Sequence, residues 1–128
     1  MRSEPLRREN GQALVEYALI LPVLLLLLLG IIEFGVVVFS YDTIANAARE
    51  GARYGAVRPG DPGGIEAAAR RLTSGLDQAR LQVNSTTAGS GVRVEVIYPV
   101  KLITGAIIEA VGGNPTLELR AVATMQIE

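Results

Sequence analysis

The chain of 128 residues contains no cysteine, no histidine, no tryptophan and a single lysine, Lys101. Without cysteine there is neither a disulfide framework nor thiol chemistry. Without histidine the usual general base and the commonest metal ligand are missing, and no Ser/His/Asp or Cys/His set can be assembled. Gly60, Gly63 and Gly64 form no phosphate loop, because no Gly-Lys-Ser/Thr follows them. The aspartates and glutamates fall at no metal-ligand spacing. Neither an enzyme nor a cofactor is expected. A formal charge of −1 supplies no basic surface to hold a nucleic acid.

Charge is also missing locally, and that absence is the most informative. From Ala18 to Ile32 no residue is charged, and twelve of the fifteen are Leu, Ile or Val. On the membrane-insertion scale those twelve contribute roughly −4 to −7 kcal/mol, against about +2.5 to +3.5 for one acid at the bilayer centre. Insertion wins even if Glu16 or Glu33 enters the bilayer. Fifteen residues fall short of the roughly 20 that span hydrocarbon, but the apolar character runs from Ala13 to Phe39, broken only by Glu16, Tyr17, Glu33, glycine and proline. A single-pass transmembrane helix over 12–39 is expected.

Residues 1–11 (MRSEPLRRENG) form a short polar leader in which Arg2, Arg7 and Arg8 oppose Glu4 and Glu9. Arginine beside an apolar segment favours a cytoplasmic N-terminus, although Arg49, Arg53 and Arg58 lie on the other side. Beyond Phe39 the pattern turns amphipathic. Tyr41, Ile44, Ala45, Ala48, Ala52 and Ala56 recur at helical spacing, and no proline intervenes between Val23 and Arg58. One helix from about Ala13 to Val57 is therefore expected, with 40–58 as its exterior continuation. Ala47, Gly51 and Gly55 form a ridge of small residues, suited to close packing inside the chain's own domain or between subunits. Arg49, Glu50 and Arg53 read as a solvated face or as helical ion pairs.

Pro59-Gly60-Asp61-Pro62-Gly63-Gly64 ends that helix. Ile65–Ala79 reads as a second amphipathic helix, Leu81–Asn84 as the start of a strand, and Ser85–Gly91 as a loop. Val92–Val100 alternates as a half-buried strand does. Leu102–Val111 reads as a helical or irregular lid, and Thr116–Ile127 as a closing strand. The expected fold class is α+β: a long N-terminal transmembrane helix extending into a small domain (59–128) of one or two helices and about three antiparallel strands. A domain of about 65 residues is marginal alone, so packing on the long helix or on partners is needed.

The most specific string is Gly11-Gln12-Ala13-Leu14-Val15-Glu16-Tyr17. An acid inside an apolar helix is costly and asks for a partner. With the continuation ALILPVLLLLLLGIIEFG and the segment NAAREGARYGA, the string resembles the TadE/TadG-like pseudopilins of the tight-adherence (Flp pilus) machinery. The resemblance covers about residues 11–58. It implies cleavage after Gly11 by a prepilin peptidase, with Gln12 as first mature residue and Glu16 and Tyr17 as the fifth and sixth. Cleavage would create an α-ammonium at Gln12, and Glu16 is the nearest buried anion to pair with it, in the same or a neighbouring chain. Breaking such a pair costs about 3–5 kcal/mol, which would set the stagger of packed helices. Glu33 reads either as a polar contact to another membrane helix or as an acid at the outer interface, about 25 Å along the helix from Glu16.

The resemblance further implies a bacterial inner-membrane protein, N-terminus cytoplasmic and domain extracytoplasmic. Its partners would be other pilin-like subunits and an inner-membrane assembly platform, in pilus assembly or secretion. The rival reading is a membrane-anchored scaffold or binding module that is never processed. A secreted protein with an ordinary signal peptide fits less well, since GIIEFGVVVFS offers no convincing small-residue cleavage site.

Overall fold

The computed structural model describes residues 4–128, with side-chain surroundings from residue 9 onward. The chain folds as α1 (Glu4–Val57), α2 (Pro62–Arg71), β1 (Gln82–Ala88), β2 (Gly91–Lys101), α3 (Gly105–Ala110) and β3 (Thr116–Gln126). The three strands make one antiparallel sheet in the order β1-β2-β3. The class is α+β.

Helix α1 is continuous for 54 residues, about 80 Å at 1.5 Å per residue. It begins at Glu4, so most of the polar leader is helical rather than a separate tail; residues 1–3 lie outside the described residues. Pro22 sits inside the helix and removes one backbone donor, a loss that membrane-type helices tolerate. The helix has two unlike halves. Every residue from Glu9 to Leu28 is exposed, including Leu14, Val15 and the Leu24–Leu28 run. From Ser40 onward one stripe is buried: Ser40, Ile44, Ala47, Ala48, Gly51, Ala52, Gly55 and Ala56. These positions recur every three or four residues, as one face of a 3.6-residue helix must. The buried stripe is rotated from the expected one, because Tyr41 is exposed and Ala45 only half-buried.

That stripe packs on the inner face of the sheet, where Val92, Val94, Val96, Tyr98 and Val100 of β2 join Leu119 and Ala121 of β3. Ile65 and Ala69 of α2, with Leu76 and Leu81, complete the core. β2 alternates buried and less buried residues along its length, which keeps all its valines on one face.

Asp61 caps α2, its carboxylate accepting from Gly64 N at 3.0 Å, and Pro62 occupies the first turn. α2 ends at Arg71, eight residues short of the expected Ala79. The Thr73 hydroxyl bonds back to Arg70 O at 2.9 Å and the Gln78 amide donates to Thr73 O at 2.6 Å, so local side chains satisfy backbone that a helix would have used. Arg70 secures the loop by donating to Glu66, Gln78 O and Leu81 O. Residues 85–88, expected to be loop, extend β1 instead; the turn is only Gly89-Ser90. Gly89 has φ +58°, the first central position of a type II′ hairpin.

Pro99 lies in the middle strand, where proline is usually excluded. β1 pairing stops at Gln82↔Ile97, so nothing in β1 faces Pro99. Its carbonyl points to that vacated side and accepts from Arg80 Nη2 at 2.8 Å. A strand residue's N–H and C=O share a side, and the missing N–H therefore costs no ladder bond with β3.

Candidate functional site

The stem of α1 carries the residues singled out in the sequence. Gly11, Gln12, Glu16 and Tyr17 all lie within the helix and are exposed. An added Cβ at Gly11 would meet nothing within 4 Å, so the surroundings of the Gly11–Gln12 bond are open. Glu16 makes no hydrogen bond or ion pair with another described residue, and no second acid shares its stretch of helix until Glu33. Within an 18-residue window this helix reaches a mean hydropathy of 2.8, and none of that window is buried. It is long and apolar enough to cross a membrane. The exposed apolar positions run around the whole helix rather than along one stripe, as in a helix able to span a membrane.

Glu33 has a partner within its own chain. Its carboxylate accepts from Thr104 N at 2.6 Å and from Thr104 Oγ1 at 2.9 Å. The two residues are 71 positions apart, and the pair fastens the β2–β3 connection to the stem. Thr104 is also the N-cap position of α3, where its own side chain makes no capping bond. A stem carboxylate thus takes the first free amide of that turn, and a charged acceptor makes such bonds stronger than neutral ones. Sequence reasoning missed Thr104. No spacing rule connects it to Glu33; the one available signal was an acid without a local cation near the end of an apolar run.

Ala47, Gly51 and Gly55 lie at the contact between α1 and the rest of the domain. A Cβ on Gly51 would stand 3.2 Å from Val94 Cγ1 and 3.3 Å from Ala69 Cβ; on Gly55 it would stand 2.7 Å from Val92 Cγ1. The ridge is filled by the chain's own sheet and α2, and offers no free surface to a second subunit. Arg49, Glu50 and Arg53 stay at the solvent side, with Arg53 Nη1 3.9 Å from Glu50 and Arg49 Nη1 3.2 Å from Asn46 Oδ1.

At the far end of α1, Tyr54 donates to Asp61 Oδ2 at 2.7 Å, and Arg58 lies over the Tyr54 ring 5.5 Å from its centroid. The Tyr54 hydroxyl, and then the Gly64 amide, hold the Asp61 carboxyl below its ordinary value of 3.8 by donating to the charged form. Among the described residues no group of three or more acidic, His or Cys side chains could hold a metal ion.

The fold and its stem define a class: a small α+β domain built onto the second half of a helix whose first half can span a membrane. Residues 11–53 match the family model described as TadE-like protein, and over that third of the chain the sequence is similar to that family. The matched segment takes in the exposed stem and the α1 turns that carry Ala47 and Gly51; α2, α3 and the sheet lie beyond it. Neither a curated protein nor a solved structure matches the chain.

Proposed function

We propose that the protein is a pilin-like, TadE-like membrane protein that supports assembly of a tight-adherence pilus or a related secretion machine. Its role is packing of helices rather than catalysis. One observation carries the reading: a single unbroken helix is exposed and mainly apolar from Ala13 to Leu28, and from Ser40 onward buries one face under its own domain. A helix of that kind couples whatever surrounds the stem in the membrane to the position of the domain outside it. The TadE-like match spans both halves, and this supports placing the chain in the bacterial inner membrane with its N-terminus cytoplasmic.

On this reading a prepilin peptidase cuts between Gly11 and Gln12, the new α-ammonium and Glu16 form the paired charges that fix the stagger of neighbouring stems, and Tyr17 packs beside them. Assembly partners are other pilin-like subunits and the inner-membrane platform. The test is the N-terminus of the membrane-extracted protein. A start at Gln12 that is lost in Gly11→Ala supports processing; a start at Met1 or Arg2, unchanged by the substitution, makes the protein an unprocessed anchored scaffold.

A further inference from the structure

The connection between β2 and β3 is longer than a hairpin needs, and it contains α3. From Leu102 to Pro115 its one ionisable residue is Glu109. The segment is built rather than loose. Leu102 N donates to Pro115 O at 2.9 Å, and Gly105 is buried, with Pro115 3.0 Å from where its Cβ would be. Gly112, at φ +83°, and Gly113 close α3 by donating to Glu109 O and Ile108 O, a Schellman ending. Yet Ile103, Ile107 and Val111, spaced four apart, are 63%, 54% and 81% exposed. A structured turn of helix is thus presenting three large apolar side chains to the outside.

Its position says what covers them. The Glu33–Thr104 bonds fix the start of this segment against the stem. The twenty residues Ala13–Ile32 rise about 30 Å, the thickness of a hydrocarbon core. Glu33 and Thr104 therefore lie where the stem leaves the hydrocarbon, and the exposed isoleucines continue the lipid-facing surface of α1 sideways. Lys101, exposed at the end of β2, stands two residues before Ile103, where an ammonium meets lipid phosphates while its stem lies along the apolar surface. The opposite end of the domain carries Arg58 and Asp61 and presents no such cluster.

We propose that residues 102–115 form a foot that rests in the lipid interface beside the stem, with Ile103, Ile107 and Val111 inserted and Glu33 holding the foot at the right height. The occupant of this surface is the bilayer itself. The inference rests on the membrane-spanning reading of α1, and its test separates the two. Because the chain lacks cysteine, single substitutions Leu25→Cys, Ile107→Cys, Val111→Cys and Val122→Cys can each carry an environment-sensitive fluorophore in the full chain, reconstituted in phosphatidylcholine–phosphatidylglycerol vesicles. Lipids bearing a nitroxide near the headgroup, lipids bearing one deep in the acyl chain, and aqueous iodide serve as quenchers. The labels at 107 and 111 should lose most of their emission to the shallow nitroxide, the label at 25 to the deep one, and the label at 122 to iodide. Iodide quenching at both 107 and 111, with lipid quenching retained at 25, overturns the foot and leaves the span intact. Shielding of both from every quencher means that protein covers them, and also overturns it. Loss of lipid quenching at 25 overturns the span and the foot together.

Discussion

Gly55 shows how one residue's size fixes the distance between helix and sheet. A β-carbon there would stand 2.7 Å from Val92 Cγ1 and 2.9 Å from Ile65 Cδ1, and the β-branched valine on a central strand has little freedom to yield. Replacing glycine in a helix gains at most about 1 kcal/mol of propensity, whereas overpacking a tight core costs about 1–3 kcal/mol. The cost wins for a bulky side chain. Gly55→Val should therefore lower unfolding free energy by about 1–3 kcal/mol. Gly35→Val, where a β-carbon meets nothing within 4 Å, should leave it nearly unchanged; chemical denaturation in detergent, followed by circular dichroism, measures both. Glu33 teaches a related lesson at the same scale. Its helix position was evident, but its partner lies 71 residues away and only the fold brings them together.

At the scale of elements, the joint between α1 and α2 depends on Asp61, which caps α2 while accepting the Tyr54 hydroxyl of α1. Because those donors depress the folded carboxyl below its unfolded value, the charge contributes stability that is fully present above the ordinary value of 3.8. That contribution is lost as pH falls through the folded value. Asn is an equally good cap, so Asp61→Asn removes the charge and keeps the cap. The variant should melt below the native protein at neutral pH, and the gap should close as pH drops below about 4, when melting temperatures are compared across that range.

Element types were largely legible, because hydrophobic period is a local signal: the long helix, β2 and β3 could be read from it, while 102–111 stayed open between helix and irregular lid. Boundaries were less so. Ser85–Ala88 is polar and reads as loop, yet it pairs with Val94–Gly91 because an edge strand can be polar where no helix covers it. α2 stops early because Thr73 and Gln78 compete for its backbone, and side-chain bonding of that kind leaves no periodic trace.

For the whole molecule, the governing contrast is between a stem exposed throughout from Glu9 to Leu28 and a domain that needs the later turns of the helix for its core. Glu16 belongs to this scale, since it lies on the exposed stem, away from the packed domain. Glu16→Ala should leave membrane insertion and the melting of the domain unchanged, and should reduce recovery of the protein in assembled complexes several-fold. Crosslinking of stems in native membranes reads that loss, and unchanged crosslinking would remove Glu16 from assembly.

The sequence by itself determined that a helix near the N-terminus can cross a membrane, that it continues past its apolar stretch, and that an antiparallel α+β unit follows. Composition and period decide these matters through transfer energy and helix geometry, which act residue by residue. Only the tertiary structure decided that Ala47, Gly51 and Gly55 serve the chain's own sheet, and that Glu33 grips Thr104. It also decided that Ile103, Ile107 and Val111 stay uncovered beside the stem. Each depends on residues far apart in sequence meeting at a few ångströms, and no local pattern encodes which of several compatible surfaces will meet.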